Sequence, residues 1–480
     1  MGCWVERIMA GNDRRQLVVV GAGPGGYAAA FVAAQLGLKV TLIDREVNPG
    51  GVCLYRGCIP SKALLHVAKV IGEAARAADW GLTFRKPTID IDTMRSWKNG
   101  VVDKLTKGLG LLARQWKVEY IQGQASFGDS HTVRVKKKRA GTEEISFEQG
   151  IIATGSSSAW LPVLPKHSAH LMDSEGALAL ESIPKSMLII GAGYIGLEQG
   201  DIYSRLGSKV SVVEIMPQLM PGMDPDLVAI LGKQIEKRFE SVMLKTKVVE
   251  AKEQHNGVHV RFEGEGAEKK EATYEKVLVA VGRKPNSAGS GLENTKVQLD
   301  EKGNVKADAH CRTNDPALFA VGDVTAGLQL AHKANHQGIV AAEVAAGREA
   351  VFEPRAIPFV EYTDPELAGC GLSEEQAKAQ NVPYKVTRFP WQASGRALTL
   401  GENTGLTKIV LDPDSGRLLG VGIVGAGAGE LIPEAALALE MGATAQDVAM
   451  TIHPHPTLSE TFMEAAARFL HRSIHIGSAR

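Results

Sequence analysis

Two cysteines, Cys53 and Cys58, stand with four residues between them in GGVCLYRGCIPSKALLH (residues 50–66), in a chain with only five cysteines among 480 residues. The others, Cys3, Cys311 and Cys370, are scattered singly. A thiolate can ligate a metal, attack an electrophile or form half of a disulfide, so several chemistries are open. A zinc knuckle needs closer spacing and a second pair to complete its tetrahedron, and the chain offers neither. A structural staple closing so short a loop adds little to a chain large enough for several cores. A working redox pair is the better reading. Cys58 precedes Ile59-Pro60-Ser61 and a helical pattern, which places it near a helix N-terminus, where a thiolate is stabilised.

Electrons leaving sulfur need an acceptor, and the residues before the cysteines describe one. QLVVVGAGPGGYAAAFVAAQLGLKVTLIDRE reads as a strand, then Gly21-x-Gly23-x-x-Gly26, an Ala-rich helix, and a second strand ending at Asp44. Such glycines allow a tight turn and a close approach of backbone to a pyrophosphate at the helix N-terminus. An acidic residue about twenty positions later can hold a ribose hydroxyl. The pattern returns in SMLIIGAGYIGLEQGDIYSRLGSKVSVVE, with Gly191, Gly193, Gly196 and a terminal Glu214. Gly21 to Asp44 and Gly191 to Glu214 both span 23 residues, so a whole βαβ unit is repeated and two dinucleotides are expected. Glu214 suits a free 2′-hydroxyl and repels a 2′-phosphate, which favours NAD over NADP. The first unit leads straight into the cysteines, so its dinucleotide is expected to be a flavin, which exchanges electrons with both a nicotinamide and a thiolate.

Composition excludes other classes. Lys+Arg and Asp+Glu both total 54, so no net field recruits nucleic acid or an anionic membrane. Arg134, Lys136, Lys137, Lys138 and Arg139, followed by Gly141, Glu143 and Glu144, read as a solvated hairpin tip. No stretch is apolar for the roughly 18 residues that a membrane span needs, and residues 1–16 lack the apolar core of a secretory signal. Gly2-Cys3 lacks the Ser or Thr of a myristoylation signal at position 6. A cytoplasmic protein with no metal site is expected, in which a disulfide is catalytic rather than structural.

From about residue 16 to 475 the chain resembles the dihydrolipoamide dehydrogenases among the flavin-dependent pyridine nucleotide–disulfide oxidoreductases. The landmarks, in order, are GGVCLYRGCIPSKALLH, IIATGSS, GAGYIGLE, VAVGRKPN, LFAVGDV, LAHKA, EYTDPELAGCG and HPHPTLSE. The resemblance implies an α/β fold with two Rossmann-like dinucleotide-binding domains and a C-terminal α+β dimerisation domain. It implies one non-covalent FAD per subunit, NAD as the second dinucleotide, and lipoyl-bearing protein domains as partners. Cys53 is then the interchange thiol that meets substrate and Cys58 the thiolate against the flavin. Lys62 reaches the flavin's reactive edge and Glu198 pairs with Lys62. Asp323 bonds the ribityl chain, Ala331 follows with a backbone contact, Gly123 and Gly155 line the adenosine end, and Val248 and Gly282 line the NAD site.

Dithiol oxidation also needs a proton acceptor, because thiolates attack and thiols do not. In TIHPHPTLSETF the resemblance makes His455 the base and Glu460 its carboxylate partner, with His453 structural. His455 lies about 400 residues after Cys53. In the family that segment is an interface domain whose base serves the other subunit's disulfide, so a homodimer is implied. The expected division is an FAD domain at 1–155, an NAD domain at 156–285, a central segment completing the FAD site at 286–355, and an interface domain at 356–480. Several residues depart from the common pattern: Asp44 is one carbon shorter than the usual ribose-binding Glu, and Pro454 stiffens the loop bearing the base. Tyr55-Arg56 replaces a small polar-plus-aliphatic pair between the cysteines, and Tyr194 stands where an aliphatic residue is usual. The alternative is another disulfide reductase of the superfamily. A mercuric or large thioredoxin reductase carries a C-terminal cysteine pair, whereas the last cysteine here is Cys370.

Overall fold

The computed structural model describes residues 15–137, 141–165, 168–267 and 269–477. Cys3, most of the N-terminal leader, and Lys138 and Arg139 of the basic run lie outside the described residues. The chain forms two compact units, each assembled from three separated segments. One comprises 1–60, 99–157 and 283–353, and the other 61–98, 158–282 and 354–480.

The first unit is built on a sheet whose parallel part runs Glu119–Gln122, Val40–Asp44, Arg15–Val20, Thr142–Ile152, with Leu318–Ala320 added beside the last. Leu17, Val18 and Val19 are all fully buried. A parallel strand covered on both faces reads as a continuous apolar run, which is why LVVV shows no alternation. The helix Pro24–Gln35 covers the strand; its Ala28, Ala29, Ala30 and Ala33 are buried, and small side chains let a neighbouring helix, Ala331–Ala345, approach. There Gly338 is so close that a Cβ would lie 2.3 Å from the Gly25 carbonyl. The eleven-residue strand Thr142–Ile152 serves two structures. Its second half joins the parallel sheet, and its first half pairs antiparallel with Thr132–Lys136, which pairs with Gln124–Asp129. That hairpin carries the basic run on its described flanks, where Arg134 and Lys137 pair with Glu144 and Glu143 at 3.2 and 2.5 Å.

The second unit repeats the plan. Its parallel sheet runs Ser241–Met243, Lys209–Val213, Ser186–Ile190, Lys276–Val279, Leu171–Met172. An antiparallel three-stranded sheet follows, Thr246–Gln254 with Gly257–Gly264 and Glu271–Tyr274. Residues beyond 354 add a five-stranded antiparallel sheet, in the order Phe359–Glu361, Glu366–Gly371, Leu418–Gly425, Leu406–Leu411, Lys385–Pro390. The helices Ala428–Glu440 and Glu460–Phe469 pack on it around buried Trp391, Phe389 and Phe462. The Trp391 indole donates to Thr407 Oγ1 at 3.0 Å, and Thr407 to Thr461 at 2.8 Å, so the buried indole is satisfied. Among the described residues no helix is long and apolar enough to cross a membrane.

Candidate active site

The two glycine-rich turns superpose in their details. Gly21 has φ +99° and Gly191 φ +103°. A Cβ on either would sit 2.2 or 2.4 Å from a carbonyl, of Ala153 or Ala280, so only glycine fits. A Cβ on Gly26 or Gly196 would strike the carbonyl of Gly21 or Gly191 at 1.8 or 2.1 Å. The middle glycines differ. Gly23 and Gly193 have ordinary extended backbones, and a Cβ would meet nothing nearer than 3.9 Å on Gly23 and nothing within 4 Å on Gly193. Neither fold nor conformation requires glycine there, so the space a side chain would fill is open for a ligand's approach. Both helices begin with no side-chain cap and no acidic residue in the first turn, which leaves their N–H groups for an anion.

The carboxylates that end the second strands are held alike. Asp44 Oδ2 accepts from the Ala22 amide at 2.6 Å, and Glu214 Oε2 from the Ala192 amide at 2.8 Å. Their second oxygens accept from Glu46 and Met216 amides. Each carboxylate therefore faces its own glycine turn with lone pairs to spare for ribose hydroxyls. These turns fit two dinucleotides.

In the first unit the cysteine segment is laid directly on the first turn. The Gly50 amide donates to the Ala22 carbonyl at 2.8 Å, and a Cβ on Gly51 (φ +58°) would lie 2.4 Å from Gly23 Cα. Cys53 lies in the short helix Gly51–Arg56, and Cys58 is the first residue of the helix Cys58–Arg76. Both are half-buried. Tyr55 and Arg56 brace the loop after Asp44. The Tyr55 hydroxyl bonds both the amide and the carbonyl of Asn48, at 3.2 and 3.1 Å, and Arg56 Nη1 donates to Glu46 at 2.7 Å. Tyr27 was not singled out by motif. Burial, then the charge of Cys53, pushes its phenol above the usual range; the Asn335 hydrogen bond opposes this and Cys58 adds to it. Its phenol thus lies within electrostatic reach of both sulfurs. Cys311 and Cys370, by contrast, are buried thiols pushed up to about 12 by desolvation, which makes them inert.

Elsewhere in this unit Gly155 has φ +71° and open space at its Cβ position. Asp323 accepts the Ser156 hydroxyl at 2.6 Å, and Ala331 starts the helix Ala331–Ala345. Gly123 donates its amide to the Asp44 carbonyl at 2.8 Å and packs against Val135.

In the second unit Lys62 Nζ donates to both oxygens of Glu198, at 2.7 and 2.8 Å. Glu198 is buried in the helix Tyr194–Leu206 and also accepts from Ser61 Oγ at 2.7 Å and the Tyr362 amide at 3.4 Å. The ammonium lies 4.6 Å from the Tyr362 ring centroid, a cation–π contact. Ser61 and Tyr362 lie inside landmark stretches without a role assigned there; what reveals one is proximity to Glu198. Tyr194 opens that helix and is exposed. Gly282 (φ +111°) has an open Cβ position, and Val248 lies at a bulge in the strand Thr246–Gln254.

The tail separates its two histidines. The His453 side chain is 4% exposed, bonded to Glu434 at 2.7 Å and to the Thr451 carbonyl at 2.8 Å, a structural role. That of His455 is 72% exposed, and its Nδ1 lies 2.9 Å from Glu460 Oε1. Glu460 opens the helix Glu460–Phe469, and its Oε2 accepts the Thr457 amide at 2.8 Å. Burial raises its carboxyl, but the Thr457 amide and the His455 ring outweigh that and hold it below the usual range. A carboxylate fixed at one oxygen orients the ring with the other and leaves Nε2 outward. Cys53 and Cys58 belong to the first unit, and His455 to the second.

A redox cysteine pair on a dinucleotide turn, a second dinucleotide turn and an antiparallel terminal domain define a class. Residues 15–338 match the pyridine nucleotide-disulphide oxidoreductase family, and residues 357–466 match that family's dimerisation domain. The chain belongs to this family of oxidoreductases. It is 45% identical over 461 residues to the dihydrolipoyl dehydrogenase of Haemophilus influenzae, covering 96% of both chains. It is 46% identical over 462 residues to that of Thermus scotoductus, covering 96% of this chain and 98% of the relative. Among solved structures it is similar to LpdA from Mycobacterium tuberculosis, with TM-score 0.87, 26% identity, and coverage of 94% and 99%. It is also similar to the HOCl-induced flavoprotein disulfide reductase RclA from Escherichia coli, with TM-score 0.83, 27% identity and the same coverage.

Proposed function

We propose that this protein is a dihydrolipoyl dehydrogenase, a homodimer that reoxidises protein-bound dihydrolipoyl groups and reduces NAD. The observation that carries the reading is the seating of Cys53 and Cys58 on the first dinucleotide turn. The extent of identity to enzymes of that name supports the choice of substrate. FAD would be held by the Gly21–Gly26 turn, Asp44, Gly123, Gly155, Asp323 and Ala331. NAD would be held by the Gly191–Gly196 turn, Glu214, Val248 and Gly282. Bound there, a flavin would supply an acceptor for the electron pair of the cysteines, and a nicotinamide would supply the final hydride acceptor.

The chain's own residues manage sulfur and protons. A substrate thiolate attacks Cys53 Sγ of the oxidised pair, the Cys53–Cys58 bond breaks, and Cys58 leaves as a thiolate stabilised at its helix N-terminus. His455 of a second copy of the chain takes the proton from the second substrate thiol, with Glu460 stabilising the imidazolium. That sulfur displaces Cys53, closes the substrate disulfide and leaves two reduced cysteines. The residue segments 1–155 and 286–355 serve the flavin, 156–285 the NAD, and 356–480 the dimer.

Steady-state NAD reduction by dihydrolipoamide tests the reading, with Cys53→Ser alongside. Turnover that prefers NAD to NADP and vanishes in the variant is expected. A wild-type protein that oxidises NADH through bound flavin but ignores dihydrolipoamide overturns the substrate assignment.

A further inference from the structure

Beside the Lys62–Glu198 pair lies a group with no assigned role. Glu361 ends the strand Phe359–Glu361 and is 0% exposed. Neither of its carboxyl oxygens has a hydrogen-bond partner among the described residues. A buried polar side chain without a partner costs free energy, and an ionised one costs far more. Such a residue in the core of a catalytic unit calls for a reason.

Its surroundings decide its charge. Glu198 and Lys62 act on it from the helices Tyr194–Leu206 and Cys58–Arg76, and Asp201 acts from one turn further along the first of these. The nearby cations are already committed. Arg238 pairs with Asp201 at 3.1 Å, and Arg76 and Arg205 with Asp364 at 2.8 and 2.9 Å. Glu366 and Glu430 act on the adjacent Tyr362 and bring more negative charge. Two carboxyls, Glu198 and Glu361, thus share one ammonium. Glu198 has four donated hydrogen bonds, from Lys62 twice, Ser61 and the Tyr362 amide, whereas Glu361 has none. When like groups compete for one counter-ion, the hydrogen-bonded one ionises and the other keeps its proton. Burial first, and the Glu198 charge second, push the Glu361 carboxyl well above the usual carboxylate range, against the pull of Lys62.

We propose that Glu361 is a positioning residue for the reaction above, a neutral carboxylic acid that shares Lys62 with ionised Glu198 and disturbs that pair when it loses its proton. The proposal rests on the dihydrolipoyl dehydrogenase reading only for its kinetic consequence. Loss of the proton, to solvent base, places a second negative charge beside Lys62. Lys62 then divides itself between two carboxylates, and its hold on Glu198 loosens.

Two readouts test it on the full-length holoenzyme. The first is the infrared carbonyl band of a protonated carboxylic acid. Wild type should show it at neutral pH, and Glu361→Gln and Glu361→Met should each lack it. The second is the pH profile of dihydrolipoamide-dependent kcat. Wild type should fall about three-fold or more from about pH 7 to about pH 9, and both variants should be flatter over that range. Two side chains of different polarity guard against one that fails to fold. A wild-type spectrum without the band overturns the neutral acid, and alkaline limbs of equal steepness in all three proteins overturn its effect on Lys62. If wild type fails to oxidise dihydrolipoamide, the substrate assignment falls, while the infrared comparison still judges Glu361.

Discussion

Replacing Glu460 by Gln tests the proton acceptor at the level of single hydrogen bonds. The carboxylate presents two acceptors: Oε2 takes the Thr457 amide at 2.8 Å, and Oε1 lies 2.9 Å from His455 Nδ1. An amide offers one acceptor and one donor, so one contact must go wrong. If the amide oxygen stays on Thr457, its NH₂ faces Nδ1 and drives the ring proton to Nε2, the atom that must be bare to accept a proton. If the amide turns over, two N–H groups oppose each other at Thr457, which costs about 1–3 kcal/mol. In either orientation the imidazolium loses a charged partner, about another 1.5–3 kcal/mol. Together these give about 2.5–6 kcal/mol of lost transition-state stabilisation, or about 10²–10⁴ in kcat. The exposed His455 ring lets water replace part of the loss, so the lower half of that range, about 10²–10³, is the expectation. The assay is NAD reduction by dihydrolipoamide, with NADH oxidation by ferricyanide as a control that needs no dithiol base and should hold. His455→Gln combined with Glu460→Gln should lose little beyond His455→Gln alone, because the two act as one unit. A Glu460→Gln protein within about three-fold of wild type, or losses that multiply in the double variant, refutes the reasoning.

Other perturbations separate ligand binding from folding. Gly21→Ala forces a Cβ to 2.2 Å from the Ala153 carbonyl at φ +99° and should abolish soluble protein. Gly23→Ala meets nothing nearer than 3.9 Å; thermal unfolding of the apoprotein should change by less than about 1 kcal/mol while flavin retention falls. Glu214→Ala removes the acceptor of two backbone amides and the ribose partner, so KM for NAD should rise about ten-fold or more, read by initial rates. Lys62→Met strands a buried Glu198 carboxylate and should cost about 2–4 kcal/mol in urea unfolding, part of which Glu198→Gln should restore in the double variant. Asp364 is raised by burial, but Arg76, Arg238 and Arg205 outweigh that and leave it below the usual carboxylate range. A group depressed in the folded state stabilises above its unfolded pKa and loses that stabilisation as pH falls through its folded value. Asp364→Asn should therefore lose less stability than wild type during acid titration, followed by urea midpoints.

Parts of the site were legible because their signals are local. The glycine spacings, the apolar strands and the acids at Asp44 and Glu214 all fall within single βαβ units, where periodicity and turn chemistry report directly on structure. The order of the landmark motifs pointed to the family, and the family matches at 15–338 and 357–466 agree with it. Less legible were the side chains whose meaning depends on a distant neighbour. Tyr27 reads as one more residue of an Ala-rich helix until the fold brings it within electrostatic reach of Cys53 and Cys58. Tyr55 and Arg56 stood out as departures near the disulfide, yet the structure turns them onto Asn48 and Glu46.

By itself, then, the sequence determined two glycine-rich βαβ turns, a close cysteine pair following the first, and a histidine–glutamate run near the end. These rest on steric and hydrogen-bonding rules that act over a few residues. Only tertiary structure decided which charges meet. Lys62 finds Glu198 across 136 positions, Ser156 finds Asp323 across 167, and Glu361 finds no hydrogen-bond partner among the described residues. A charged side chain carries no local mark of its partner. Its protonation is settled by burial and by whichever ions the folded chain brings alongside.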